Sequence, residues 1–279
     1  MTMELYQKNS LDCSKITTRN YSTSFSFAVR MLSPKYREGI YSIYGFVRYA
    51  DEIVDTFFDQ DQKAIFEEFR QETYKAINRG FSINPIIDSF QRTVHNYGID
   101  RDLIDTFLLS MEMDLYNIEY SPELLRKYIY GSAEVVGLMC LRVFYYDDLE
   151  HYKALVVPAR KLGEAFQKVN FLRDAKVDFA EKGRVYFKNI DFLNFSETTK
   201  KQLEQEIELD FREAMLGLRR LKKQVRFGVY LAYMYYMCLL KEIKKASPEE
   251  ILRKRYRITN TRKSYLLVNA YLKNVLNLL

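Results

Sequence analysis

Residues 41–55 read YSIYGFVRYADEIVD, and this stretch decides the fold. With Ile40 before it, the apolar residues Ile43, Phe46, Val47, Ile53 and Val54 run round most of a helical circumference. A helix apolar nearly all round is a buried one. Tyr44, Arg48, Asp51 and Asp55 nevertheless follow at steps of four, three and four, which sets them in a single polar stripe. Two carboxylates one turn apart repel by roughly 0.2–0.5 kcal/mol even on an exposed helix. In a buried setting, like charges resist ionising together. Something positive belongs between them: Arg48 in part, and a bound divalent cation more fully.

Residues 163–178, GEAFQKVNFLRDAKVD, repeat the design. Gln167, Asn170, Asp174 and Asp178 step by three, four and four, with Arg173 beside them. One acidic stripe alone is also what a solvated helix face shows. Two of them on apolar bodies point to two helices facing each other across a cavity.

The rest of the chain supports a helical reading. Its 279 residues are compatible with one domain, 1–279, and 48% hydrophobic content with 15% aromatic residues supplies a large core. Ten glycines and five prolines are too few for a turn-rich all-β chain. Read in order, helices are expected over about 5–19, 34–58, 59–79, 85–97, 100–117, 122–146, 148–180, 196–226 and 228–246. A short helix opens at Pro248, and 260–279 closes the chain. Ser22 or Thr23 caps a further helix start, Asp100 caps another, and Asp114 is a candidate for a polar cavity wall. Tyr130-Gly-Ser-Ala-Glu-Val-Val-Gly137 puts small residues at one-turn intervals, which permits close helix packing or the approach of a bulky ligand. No linker divides the chain and no repeat of 20–50 residues is evident. The fold class is all-α.

Composition also narrows the chemistry. There is no Rossmann-type glycine turn and no phosphate-cradling GxxxxGK[ST], so no nicotinamide or nucleotide site is expected. Cys13, Cys140 and Cys238 share no metal-type spacing and read as free thiols of a reducing cytoplasm. His95 and His151 lie outside both stripes, which argues against a histidine base and a zinc site. Carboxylates without histidine suit a hard cation such as Mg²⁺. The net charge of +6 fits an anionic substrate or an acidic membrane surface. Basic residues gather in 219–223, 241–245 and 253–263, without the aromatic interleaving of a nucleic-acid site. The start of the chain lacks a signal-peptide core, and the richest apolar run, Val229 to Leu240, is too short to span a bilayer. A soluble protein, or one with peripheral membrane contact only, is expected.

These residues, in this order, resemble the squalene and phytoene synthases, the head-to-head prenyl transferases. Ser22-Thr-Ser-Phe-Ser26 resembles their N-terminal signature, Tyr44 to Asp55 their first aspartate-rich motif, and Tyr130 to Gly137 their small-residue segment. Gln167 to Asp178 resembles the second motif, Gly183-Arg-Val-Tyr186 its tail, and Tyr236 with Arg255 the C-terminal elements. The resemblance runs from Tyr21 to about Lys263, and the bacterial phytoene synthases are the most similar members.

The resemblance implies an isoprenoid synthase-type helical bundle around a central apolar pocket. Asp51, Asp55, Asn170, Asp174 and Asp178 would hold Mg²⁺, with Mn²⁺ able to substitute. Arg48, Arg173 and Arg184 would offset phosphate charge, with Tyr44 and Tyr130 as catalytic aromatics. Ser22, Ser24, Phe25, Gln167, Tyr186 and Tyr236 would bind substrate. The implied reaction condenses two geranylgeranyl diphosphates to phytoene without NADPH. The same reaction on farnesyl diphosphate, giving dehydrosqualene or squalene, is the alternative, and pocket depth separates the two. A C-terminal membrane helix of the kind that eukaryotic squalene synthases carry is not expected here. A head-to-tail synthase or cyclase would carry Asp-Asp-x-x-Asp, whereas Glu52 holds the second place. A non-catalytic scaffold on the same fold would be expected to lose the aspartates.

Overall fold

A computed structural model describes residues 2–116, 120–180 and 196–276, with the side chains of 177–180 outside the description. Thirteen helices and one π turn make up the described residues, with no strand among them. They are α1 (Met3–Tyr21), α2 (Thr23–Arg30), α3 (Pro34–Thr56), α4 (Gln62–Arg79), α5 (Pro85–Tyr97), α6 (Arg101–Met113) and α7 (Pro122–Ile129). The π turn (Tyr130–Glu134) leads into α8 (Val135–Phe144), α9 (Leu149–Ala180), α10 (Glu197–Arg220), α11 (Lys223–Lys244), α12 (Pro248–Arg253) and α13 (Asn260–Val275).

Local chemistry sets most boundaries. Pro34, Pro85, Pro122 and Pro248 stand in the first helical turn, where a missing N–H costs nothing. Ser22, Asp61, Asn84, Ser121, Ser196, Ser247 and Thr259 accept capping bonds through their side chains. Gly80 and Gly98 end α4 and α5 at φ of +75° and +60°, a region glycine enters without a Cβ penalty. Asp100 occupies its cap position but makes no side-chain cap bond.

Three boundaries differ from the sequence reading for tertiary reasons. The helix expected over 196–226 stops at Arg220, because the Tyr145 hydroxyl accepts the Lys222 N–H at 3.0 Å. The Lys222 ammonium also lies 4.8 Å and 4.6 Å from the Tyr36 and Tyr145 ring centroids. Gly228 therefore starts no helix. It sits inside α11, where an added Cβ would lie 2.7 Å from the Ala28 carbonyl oxygen of α2. The stretch 122–146 is likewise interrupted by the π turn.

The core is aromatic at its centre. Phe46 of α3 stacks on Phe90 of α5 at 3.8 Å and meets Phe69 and Phe107 at 5.4 and 5.6 Å. Burying a ring of this kind contributes up to ~3 kcal/mol. On the other side, α9 is fixed to α10 by a partly buried ion network. Lys168 reaches Asp210 at 2.7 Å and Glu164 at 2.8 Å, and Lys161 reaches the same two carboxylates at 2.9 Å each. Lys168 and Asp210 are buried, Lys161 and Glu164 only partly so, and every carboxylate oxygen of the four has an ammonium partner, which is what makes burying the inner pair tolerable. Pro158 of α9 nests on Gly217 of α10, where a Cβ would come within 2.3 Å of the proline ring. These contacts fix α9, which carries the second acidic stripe.

Candidate active site

One cavity of about 770 Å³ runs between α2, α3, α8, α9, α10 and α11. Both stripes face it. Tyr44, Arg48, Asp51 and Asp55 line it from α3, and Gln167, Asn170, Arg173 and Asp174 from α9. Along α9 the lining turns from Asp174 and Asn170 to Leu162, Pro158 and Leu155. That is a run of about 28 Å at 1.5 Å per residue. On α3 the charged residues likewise occupy the C-terminal end of the lining, with Val47 and Ile40 beyond. The cavity thus has a charged mouth and a long apolar interior. Its described lining contains no histidine and no lysine.

Arginines and carboxylates interlock at the mouth. The Arg48 guanidinium forks between Asp51 and Glu52 and lies 4.2 Å from the Tyr21 ring centroid, and its buried Nε has no hydrogen-bond partner among the described residues. Asp174 accepts from the Arg173 Nε at 3.0 Å and from the Arg255 Nε at 2.7 Å. Arg255 comes from the segment after α12, so the bridge draws that segment to the mouth. Tyr236 of α11 donates to the Asn170 Oδ1 at 3.2 Å and stacks on Phe166 at 3.9 Å, which fixes the amide. Across from it, Tyr44 stacks on Phe25 at 5.0 Å. Burial pushes the Tyr44 phenol well above its ordinary value, with Asp51 and Tyr236 adding to the shift against Arg48, so the ring stays neutral. Deeper in the wall, burial lifts the Cys140 thiol to about 12.

The oxygen-only character of Asp51, Asp55, Asn170 and Asp174 fits a hard cation. Among the described residues, no three carboxylates, histidines or thiols converge closely enough to hold an ion unaided. That arrangement suits Mg²⁺ taken up with phosphate oxygens and water, and does not suit an all-protein cage.

Several expected site residues fall elsewhere. Asp178 follows Asp174 by one turn on the α9 backbone, but its side chain lies outside the described residues, as do Arg184 and Tyr186. Ser22 and Phe25 line the cavity and Ser24 does not. Tyr130 does not line it either. Its ring centroid lies 4.9 Å from the Arg160 guanidinium, which binds Glu134 at 2.6 Å. The extra residue of the π turn changes the helical register. Ser132, Ala133, Val136, Gly137 and Cys140 face the cavity instead.

Asp114 does stand in the wall and accepts from the Tyr128 hydroxyl at 2.8 Å. Tyr21 and Phe166 escaped the sequence reading. Phe166 carried a signal, since it lies four residues before Asn170 and thus on the same face. No described helix is long and apolar enough to cross a membrane.

Residues 18–262 match the profile of the Squalene/phytoene synthase family. A 4,4'-diapophytoene synthase of Staphylococcus haemolyticus is 27% identical over 73% of this chain and 70% of its own. A phytoene synthase of Arthrospira platensis is 26% identical over 84% and 83%. In fold, the chain is similar to the crystal structure of a dehydrosqualene synthase in complex with ligand. The TM-score is 0.80 at 22% identity, covering 97% of this chain and 98% of that one. With two facing acidic stripes over an apolar cavity in an all-α bundle, and a profile match across most of its length, the chain belongs to the squalene/phytoene synthase family of head-to-head prenyltransferases.

Proposed function

We propose that this protein joins two molecules of geranylgeranyl diphosphate head to head to give 15-cis-phytoene, the entry step of carotenoid biosynthesis. The observation that carries the reading is the division of one cavity into a mouth of aspartates and arginines and a long apolar interior.

In the first half-reaction a C–O bond of one allylic diphosphate breaks and diphosphate departs. The alkene of the second molecule attacks the cation, and a proton leaves as the cyclopropylcarbinyl diphosphate forms. In the second half-reaction that species ionises, rearranges and loses a proton. Arg48, Arg173 and Arg255 exchange carboxylate partners for phosphate oxygens, which they bind by forked, charge-assisted bonds. Mg²⁺ held by Asp51, Asp55, Asn170 and Asp174, with Asp178 one turn on, would supply further charge for the departing diphosphate. Phe25, Tyr44, Phe166 and Tyr236 line the cavity as two stacked pairs and would stabilise the cationic carbons, by up to about 2 kcal/mol per desolvated ring. The apolar interior keeps water from quenching the cation.

A second reading is supported by the relatives named 4,4'-diapophytoene synthase and presqualene diphosphate synthase, and by the structural likeness to a dehydrosqualene synthase. It is the same reaction on the fifteen-carbon substrate, farnesyl diphosphate. A mass-resolved product assay separates the two, with each diphosphate supplied alongside Mg²⁺, in the presence and absence of NADPH. Phytoene formed without NADPH is the expected result. A thirty-carbon product alone would transfer the assignment to the shorter substrate, with dehydrosqualene and squalene told apart by NADPH. No product from either would refute the enzyme reading in favour of a scaffold.

A further inference from the structure

Charge is distributed unevenly along this chain. Residues 251–279 contain seven Lys and Arg and no Asp or Glu, against a net charge of +6 for the whole protein. The remainder is therefore close to neutral. Six of the seven basic residues fall within 253–263, RKRYRITNTRK. Arg255, bound to Asp174 at 2.7 Å, ties the beginning of this basic strap to the cavity mouth. The strap then leads into α13, whose first turn is tied to α2 by the Lys263 ammonium on the Thr23 hydroxyl at 2.6 Å.

The polarity of α13 is inverted on its outer side. Leu266 and Ala270 are buried. Tyr265, Val268, Tyr271, Leu272, Val275 and Leu276 are 52–64% exposed. At about 100° per residue these six share one sector of the helix, interrupted only by exposed Thr261 and Ser264. The water-facing side of a surface helix ordinarily carries its charges. Here it carries none, and Arg262 and Lys273 stand at its edge.

We propose that α13 and the basic strap form a docking surface for an anionic lipid bilayer, which seats the cavity mouth beside the membrane. An apolar helix face bordered by Lys and Arg is the pattern that lies in the headgroup plane of acidic membranes. Charge complementarity selects this occupant. A second copy of the chain would bring one basic strap against another, whereas an anionic surface neutralises it. The proposal stands on exposure and charge, so it holds or fails independently of the condensation chemistry.

The protein has no tryptophan, so Leu272→Trp gives a single reporter on the face, and Leu216→Trp, 65% exposed in the native chain on α10, serves as the control. Vesicles of phosphatidylcholine with phosphatidylglycerol are expected to shift the Leu272→Trp emission to the blue and to carry the native protein upward in flotation. Pure phosphatidylcholine and the Leu216→Trp control should show neither effect. Replacing Arg253, Arg257 and Arg262 together by Gln removes three charges. It should weaken vesicle binding by about 100-fold, at roughly fivefold per charge, and high salt should do the same. Val268→Asp with Leu272→Asp should abolish flotation.

Equal binding to neutral and anionic vesicles, or unchanged binding by the Gln variant, would overturn the proposal. So would a concentration-dependent dimer in sedimentation velocity that the Asp variant abolishes, which would give the face to a second copy. Turnover of detergent-dispersed substrate is expected to stay at the native level in both variant sets. A protein that binds vesicles normally but turns over no substrate would count against the condensation reading and leave the docking surface standing.

Discussion

Replacing Gly163 by Ala tests whether the π turn and the second acidic stripe are mechanically joined. Gly163 lies on α9, four residues before Gln167 and in the cavity wall. A Cβ built there sits 2.7 Å from the Ala133 carbonyl oxygen and 3.0 Å from the Ala133 carbonyl carbon and the Glu134 Cα. All three are backbone atoms of the π turn, so no side chain can swing aside. The shortest contact is about 0.7 Å inside ordinary van der Waals separation. Overpacking of this kind costs ~1–3 kcal/mol, and the helical preference of Ala over Gly returns ~0.5–1 kcal/mol. The net loss should be about 1–2 kcal/mol, a fall in Tm of roughly 2–6 °C for a chain of this size. Moving α9 by most of an ångström also displaces Asn170 and Asp174. A misplacement of about 1 Å costs on the order of 100-fold in rate, so turnover should fall tenfold or more. Gly137→Ala is the internal control. Its Cβ meets the Ala159 carbonyl oxygen at 3.2 Å and the carbonyl carbon at an ordinary 3.9 Å. The helical gain should then cancel the strain and leave Tm and turnover nearly native. Thermal unfolding and product formation, measured side by side, decide the matter. A Gly163→Ala protein with native Tm and native turnover would refute the coupling.

Three further outcomes are expected. Asp51→Ala and Asp174→Ala should each abolish turnover while far-UV helicity stays native; retained activity in either would remove that carboxylate from the reaction. Excess EDTA should stop turnover, and added Mg²⁺ or Mn²⁺ should restore it; full activity in EDTA would exclude the proposed role for a cation. Glu164→Gln should cost about 1–3 kcal/mol at neutral pH, since it weakens two charge-assisted bonds in a partly buried network. Burial opposes the Glu164 charge, but Lys168 and Lys161 outweigh it and hold the carboxyl below the usual range. Its stabilisation is therefore complete above the ordinary carboxylate pKa and is lost as pH falls through the lower, folded value. The difference in Tm between native and variant protein should shrink on acidification, and a constant difference would contradict this.

The two acidic stripes were legible because helical spacing alone sets which residues share a face, and both faces proved to line one cavity. Capping residues and N-terminal prolines fixed most helix starts for the same local reason. The stop at Arg220 was not legible, since it depends on a tyrosine hydroxyl 77 residues away in sequence. Tyr130 was misplaced because a π turn inserts one residue where a regular helix was assumed. Tyr21 is adjacent in sequence to a residue that was identified, Ser22, yet its place beside Arg48 depends on how α1 lies against α3. The Lys161–Glu164–Lys168–Asp210 network was hidden for a similar reason: on paper those residues are ordinary surface charges of two amphipathic helices.

The Cys140 thiol and the Tyr44 phenol acquire a further meaning under the proposed reaction, which passes through carbocations. A catalyst of that reaction risks alkylating itself, and thiolate or phenolate in the wall would be the first casualty. Burial holds both groups in their protonated, weakly nucleophilic forms. The described wall offers no lysine amine and no imidazole to take their place. The same desolvation that shields the cation from water thus also blunts the protein's own nucleophiles, and the catalyst is protected from its intermediate without a separate device.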